Sequence, residues 1–386
     1  MKLGIHVGKI PPPVFLEKLI NGLSFDVEKI FVYGKVLDSR YRFKNNNVKI
    51  RKLPVSRFGI VSTSFYYTIK LLLKAPSKYL FLIKKLDYSF RKMSKILPIL
   101  SDDLNLLHLQ WPKALEYYSE VLEGYNFRII LSLRGTQINV SPIADPELAA
   151  KYRKYFKKID GFHAVSSAIA KKAIKYNAPA EKIEVIRPAI DYFVLSKFCK
   201  KNINNKIFKI ISIGRMHWVK GYTFVLDAIY LFKQKNIDFH YTIIASGNDR
   251  EYLNYQIHDL GLINHVTIIN GLQYNKTMEI LSQSDLFILS SLDEGISNSV
   301  LESMTLGVPV LSTNCGGMEE VIEDNINGFL FPYREPEVCV KKIIKFIEMN
   351  KNEKQQIINN AKKTIKEKFS LDDQIAKMLS FYNKYL

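Results

Sequence analysis

The sequence predicts two α/β domains, each built on a parallel sheet with helices wound around it. Three observations carry this. Short runs rich in Val, Ile, Leu and Phe alternate with helical patterns, and the alternation is played out twice along the chain. A length of 386 residues is that of two domains, at about 100–200 residues each. A stretch rich in Lys and Asn, residues 199–206, interrupts the pattern and reads as a linker.

The elements follow in order. Residues 2–7, 29–32, 105–109, 128–133, 161–165 and 182–186 read as buried strands, with helices over 147–158 and 168–176. In the second half, strands are expected over 209–213, 240–245, 265–269, 286–289 and 309–312. Helices are expected over 223–234, 249–260, 277–282 and 299–306. Residues 337–368 read as strongly helical, and 372–385 as one more amphipathic run.

Composition narrows the function classes. With 47% hydrophobic and 24% charged residues, the chain can bury a sizeable core and is no disordered tail. Cys199, Cys315 and Cys339 are far apart, with no CxxC, so neither a disulfide scaffold nor a structural zinc is expected. The net charge of +19 is confined to one half: residues 1–200 carry 35 Lys and Arg against 16 Asp and Glu, whereas the remainder carries 21 of each. That asymmetry points the first half at an anionic partner. Residues 66–97 concentrate it, with Lys70, Lys74, Lys78, Lys84, Lys85, Arg91, Lys92 and Lys95 against Asp87 alone, interleaved with Leu, Ile, Phe and Tyr. A basic amphipathic stretch of this kind suits an anionic bilayer surface. Nucleic acid is not expected, because no helix-turn-helix, RNA-reading aromatic motif or zinc module occurs. The apolar start is broken by His6 and Lys9, too short for a signal peptide, and no run approaches a spanning helix. The expected location is the cytoplasm, peripheral at the inner face of the plasma membrane.

Two segments carry chemistry. The run Gly214-Arg215-Met216-His217-Trp218-Val219-Lys220-Gly221 follows a strand and precedes a helix. Gly214 is expected to let the chain turn off the strand end. Arg215 and Lys220 then stand beyond the carboxyl end of the sheet, where two cations suit a diphosphate that gains charge as it leaves. The second segment runs Ser290-Ser291-Leu292-Asp293-Glu294-Gly295-Ile296-Ser297-Asn298-Ser299 into a helix bearing Glu302. The polar residues suit a helix start, whose unpaired N–H groups favour an anion. Glu302, a turn into the helix, is placed to accept from ribose hydroxyls, and Glu294 from hydroxyls of a sugar on the phosphates.

Taken with Leu306-Gly307-Val308-Pro309-Val310, Gly316-Gly317 and Ile186-Arg187-Pro188-Ala189-Ile190-Asp191, these motifs resemble those of the group 1 (family 4) retaining glycosyltransferases of the GT-B fold. The likeness is dense over about 205–332 and looser over 125–195, where Ser166 is a further landmark. It implies two Rossmann-like parallel-sheet domains facing a central cleft. The first, acceptor-binding domain would cover 1–200, joined by a last helix over 370–386 that crosses back to it. The second, over 201–369, would bind a nucleotide sugar. Arg215 and Lys220 would neutralise the donor diphosphate. Glu294, with the backbone of Gly295, Ile296, Ser297, Asn298 and Ser299, would hold the donor sugar. Glu302 would bind the ribose and Leu272 the base, of a UDP- or GDP-sugar. No metal or other cofactor is implied, because the cations and the helix terminus take that place. The acceptor would be a glycan or a lipid-linked glycan of surface polysaccharide.

The chain also departs from the family's pattern. Only Gly8 remains of a Gly-Gly loop after the first strand, and it is kept as a donor contact. Where many members have a His after the strand over 128–133, this chain has Arg134. Arg134 is expected to hydrogen-bond the sugar or an anion, but it cannot act as a base. These departures motivate the alternative reading, a weakly active or inactive GT-B protein that serves as a binding partner or regulator. His163, in an apolar strand, reads as a satisfied core histidine, and Asp102-Asp103 as helix-start or loop acids.

Overall fold

The computed structural model describes residues 1–74, 76–119, 127–198 and 207–386. It forms two compact units, Met1–Ile186 with Asp372–Leu386, and Arg187–Leu371. The first unit is a seven-stranded sheet of order β3-β2-β1-β4-β5-β6-β7. Its strands are β1 (Lys2–Ile10), β2 (Lys29–Val36), β3 (Val48–Lys52), β4 (Leu106–Leu109), β5 (Arg128–Leu133), β6 (Gly161–Ala164) and β7 (Ile183–Val185). The second unit is a six-stranded sheet of order β10-β9-β8-β11-β12-β13. It comprises β8 (Phe208–Met216), β9 (Phe239–Gly247), β10 (Val266–Ile269), β11 (Leu286–Leu289), β12 (Val310–Thr313) and β13 (Phe329–Phe331).

All strand pairs in both sheets are parallel. Parallel strands are covered on both faces, so they appear as unbroken apolar runs, and β4, β6, β11 and β12 are buried throughout. Strands β3 and β13 escape the sequence pattern, as do the helix Val14–Leu23 and the short helices Leu115–Tyr118, Thr136–Asn139, Ser141–Ala144 and Tyr192–Ser196. β3 reads Val-Lys-Ile-Arg-Lys, because an edge strand tolerates the cations that discourage further pairing. β13 is only three residues long. The helix Val14–Leu23 starts straight after the Pro11-Pro12-Pro13 run. The long helical stretch resolves into Pro336–Glu348 and Lys351–Lys368. The break comes at Asn350, whose side chain accepts from the N–H groups of Asn352 and Glu353 while Glu353 bonds back to the Asn350 N–H.

The passage between units falls at Ile186/Arg187 rather than at 200/201. Ile190 and Leu195 are the reason, since both pack into the second unit's core beside Leu301 and Ile365. The expected linker 199–206, with Cys199, lies outside the described residues. Cys315 and Cys339 are free and buried. The basic stretch over 66–97 is divided among three helices, Arg57–Lys74, Pro76–Lys85 and Phe90–Ser101. The last is mainly core, with Met93, Ile96, Leu97, Ile99 and Leu100 buried. The side chains of Lys78 and Lys85 lie outside the description. No helix among the described residues is long and apolar enough to cross a membrane. Asp102 is a loop acid, as expected, but a buried and paired one. It follows the last turn of Phe90–Ser101, is buried, and accepts from Tyr33 Oη at 2.7 Å and from two Arg51 nitrogens, the nearest at 2.6 Å.

The C-terminal helix Leu371–Asn383 buries Met378, Phe381 and Tyr382 against Leu3, Ile5 and Leu106 of the first unit. A buried polar chain completes the join. Tyr382 Oη lies 2.6 Å from His108 Nδ1, and His108 Nε2 lies 2.7 Å from Ser132 Oγ. Ser132 Oγ in turn lies 2.8 Å from His163 Nδ1, and His163 Nε2 lies 2.8 Å from the Ile186 carbonyl. That carbonyl can only accept, so His163 donates through Nε2 and accepts from Ser132 at Nδ1. The order then propagates: His108 donates to Ser132, and Tyr382 donates to His108. It requires both rings neutral. Burial, then His163 and Arg134 nearby, holds His108 well below its usual pKa, and burial followed by Arg134 brings His163 down to about 3. His163 is thus the satisfied core histidine its apolar strand predicts.

Tyr382→Phe orphans a buried acceptor and should cost about 1–3 kcal/mol in urea unfolding; an unchanged midpoint would refute the donor order. The pH dependence has a definite sign. Both histidines take up a proton near pH 6.5 when unfolded but resist it when folded, so their contribution is complete above about pH 6.5 and is lost as pH falls toward about 3. The first unit's stability should therefore drop below pH 6.5 by up to about 1.4 kcal/mol per pH unit for each histidine. Comparing urea midpoints at pH 7.5 and 5.5 reads this directly, and a midpoint that rises on acidification would exclude it.

Candidate functional site

In the second unit, β8 runs on through Gly214 and Arg215, which pair with Ala245 and Ser246 of β9. The expected turn at Gly214 is therefore not there. The chain turns later, at Gly221, whose φ of +62° is left-handed and whose Cβ would fall 2.1 Å from the Ser290 carbonyl oxygen. Gly214 is small for another reason. A Cβ there would meet Tyr222 Oη at 2.9 Å and Lys220 Cε at 3.3 Å, so its absence makes room for the lysine side chain.

Lys220 uses that room to reach Glu294, with Nζ 2.5 Å from Oε1 and both side chains largely buried. Ser291 Oγ donates to the same carboxylate oxygen at 2.8 Å. Ser290 Oγ donates to the Lys220 carbonyl at 2.8 Å, tying the two loops together. From the other side, Gly317 N–H donates to the Glu294 carbonyl, and Gly316 (φ +57°) passes so close that a Cβ would overlap that oxygen at 1.8 Å. The loop bearing the carboxylate is clamped by β8's outflow and by the Gly316-Gly317 turn at once. Arg215 differs: it is exposed, with no carboxylate in ion-pair range among the described residues.

Beyond Glu294, Gly295, Ile296 and Ser297 are buried, and the helix Asn298–Leu306 begins. Ser297 precedes it without capping any N–H. Its hydroxyl engages Ser299 Oγ at 2.9 Å, and Ser299 donates to the Ile213 carbonyl at 3.3 Å. The first N–H groups of this helix thus lack the usual side-chain acceptor. Asn298 Oδ1 is buried with no hydrogen-bond partner. Glu302, one turn on, accepts from the Tyr274 hydroxyl, which with burial raises the phenol's pKa. Leu272, after Gly271, packs half-buried against the same core as Tyr274. Burial raises the Cys315 thiol to about 12, so it is held as the protonated thiol at neutral pH. Trp218 is 57% exposed beside His217.

Gly8 and Arg134 belong to the first unit. Gly8 sits at a register shift in β1 with φ +74°, and a Cβ there would meet nothing within 4 Å. Arg134 is enclosed against the Phe15 ring, 5.1 Å to its centroid, and Nη2 donates to Gln110 at 3.2 Å. Its Nε is buried without a partner, and burial pulls the guanidinium down to about 10. Sequence reasoning missed Ser291, Tyr274 and the clamping role of Gly316. Ser291 and Gly316 stand in motifs it singled out; Tyr274 carried no signal.

Residues 196–364 match the family model described as glycosyl transferases group 1. That match falls within the second unit. Among curated relatives, the amylovoran biosynthesis glycosyltransferase of Erwinia amylovora is 28% identical over 60% of this chain and 58% of its own length. An Escherichia coli relative named for colanic acid biosynthesis is 24% identical over 57% of this chain and 55% of its own. The match spans little more than half the length of either. Among solved structures, Anabaena HepE in complex with UDP-glucose has a TM-score of 0.72 at 18% identity, covering 98% of this chain and 99% of its own. Sucrose-phosphate synthase of Thermosynechococcus elongatus has a TM-score of 0.75 at 11% identity, covering 100% and 98%. These likenesses establish the GT-B fold, two Rossmann-like parallel-sheet domains, as the motifs implied.

The glycines separate backbone strain from collision. Gly316→Ala in the second unit must displace the Glu294 carbonyl, and should cost roughly 2 kcal/mol or more. Gly8→Ala meets only its unfavourable φ, about 1–2 kcal/mol. Urea unfolding of both variants tests the order; an equal loss would mean that the Glu294 loop is not clamped as described.

Proposed function

We propose that the protein is a retaining glycosyltransferase that moves a hexose or related sugar from a nucleotide-sugar donor to a glycan or lipid-linked acceptor in surface-polysaccharide assembly. The observation that carries this reading is the Lys220–Glu294 pair, held at the carboxyl edge of the second unit's sheet beside an uncapped helix start. The relatives named for amylovoran and colanic acid biosynthesis support the polysaccharide setting, and the HepE complex with UDP-glucose supports a nucleotide-sugar donor.

Each residue has a role that follows from its place. Arg215 and Lys220 stabilise the diphosphate as it gains charge, aided by the N–H groups at the start of Asn298–Leu306. Glu294, anchored by Lys220 and Ser291, accepts from donor-sugar hydroxyls. Glu302 accepts from the ribose and keeps Tyr274 as its neighbour, while Leu272 packs the base. In the step itself, the bond from the anomeric carbon to the diphosphate oxygen breaks, and a bond to the acceptor oxygen forms on the same face. The acceptor's proton passes to the leaving phosphate, so no side-chain nucleophile or base is called on. The reading asks for no metal, since the two cations and the helix start carry the charge stabilisation. Arg134, a buried cation with no carboxylate paired to it among the described residues, serves an anionic or hydroxyl-rich part of a substrate.

Heat stabilisation with a panel of UDP- and GDP-sugars tests the donor. One donor at a hundredfold over its dissociation constant should stabilise the protein by about 2.7 kcal/mol. Arg215→Ala, which removes an exposed side chain, should keep the fold and lower turnover about 10²–10³-fold. The product's anomeric configuration is read by NMR. An inverted product would overturn retention, and a protein that no nucleotide sugar stabilises would overturn the enzyme reading.

A further inference from the structure

The first unit holds a cavity of about 290 Å³, with Gly8, the expected donor contact, in its wall. It lies beyond the carboxyl ends of β1, β2 and β3, where an open parallel sheet takes ligands. Lys35, Arg91 and Lys95 line it together with His6, Ser94 and Tyr118, and no carboxylate is among its lining residues. None of the three cations has an ion-pair partner among the described residues; Lys95 instead lies over the Tyr117 ring. Burial, then Arg91, pulls the Lys95 ammonium down to about 8. His6 Nδ1 is buried with no hydrogen-bond partner. Three unneutralised cations converging on one space repel each other, and an anion held between them removes that cost.

A second feature adjoins it. Ile60, in the cavity wall, belongs to the helix Arg57–Lys74. On that helix Phe58, Val61, Phe65, Ile69 and Leu73 recur at spacings of three and four, so they share one face. All five are exposed, Phe58 by 84% and Leu73 by 83%. Arg57, Lys70 and Lys74 are exposed on the same helix. An apolar stripe edged by cations and left in water matches the surface of an anionic bilayer.

We propose that the cavity is a subsite for the phosphate of a lipid-borne acceptor, gripped by Lys35, Arg91 and Lys95, with the apolar face of Arg57–Lys74 lying in the bilayer that carries the lipid. This rests on the reading that the first unit receives the acceptor. It moves the membrane contact from the whole 66–97 stretch to the face that begins at Phe58. Lys35, Arg91 and Lys95 act as binding residues.

The test uses the full chain with Lys220→Ala as parent, which weakens diphosphate binding in the second unit. Inorganic pyrophosphate probes the anion alone, and geranyl diphosphate the anion with an apolar tail; both are titrated calorimetrically. Lys35→Gln/Arg91→Gln, two exposed changes, should weaken both ligands about tenfold or more. Lys95→Gln is the second variant and should act the same way. Phe58→Ser/Phe65→Ser should leave pyrophosphate unchanged, and should weaken geranyl diphosphate and abolish flotation with phosphatidylcholine–phosphatidylglycerol vesicles. The subsite is overturned if the parent binds neither ligand, or if the cation variants bind as tightly as the parent. Equal affinity for the two ligands with no flotation overturns the lipid source and leaves a site for free phosphate. Nucleotide-sugar stabilisation of the chain with its native Lys220 is read in parallel. Its loss with diphosphate binding intact would sink the transferase reading and spare the pocket, and the converse would sink the pocket alone.

Discussion

The contact between Lys220 and Glu294 organises the second unit's carboxyl edge. Two charges this far from water carry a desolvation cost that their attraction offsets only when geometry and extra hydrogen bonds are good. The surrounding residues supply both. Gly214 gives the lysine its path, Ser291 gives the carboxylate a second donor, and the Gly316-Gly317 turn fixes the loop from behind. A carboxylate held this firmly keeps one oxygen occupied, and its hydrogen-bonding capacity toward a ligand is preset rather than found on binding.

A comparable constraint operates in the first unit. The neutral chain from Tyr382 through His108, Ser132 and His163 to the Ile186 carbonyl joins residues far apart in sequence, and each member has one permitted direction of donation. It makes the C-terminal helix part of the first unit's core. It also leaves Arg134 as a cation with Gln110 and Phe15 in contact and no acid paired with it among the described residues. The same unit gathers Lys35, Arg91 and Lys95 about one cavity, so its positive excess is not spread evenly as a solvated face.

Much of the fold was legible. Buried parallel strands are continuous apolar runs, and β4, β5, β6 and β11 stand where those runs are. The edge strand β3 was hidden by its lysines and arginine, and β13 by its shortness. The paired glutamates and the two cations were legible because their spacing brackets a strand end and a helix start. Their mutual pairing was not, since Lys220 and Glu294 are 74 positions apart.

By itself the sequence determined the two α/β halves, the candidate residues and the placement of charge in one half. These depend on local periodicity and composition, which a chain carries without folding. Only the tertiary structure decided which charges are paired. Arg51 with Asp102 and Lys220 with Glu294 are neutralised, whereas Arg215 and the trio Lys35, Arg91 and Lys95 have no ion-pair partner among the described residues. It also decided that the outward face of Arg57–Lys74 is apolar and unburied. Pairing and exposure depend on which distant segments the sheet order brings together, and no local pattern encodes that.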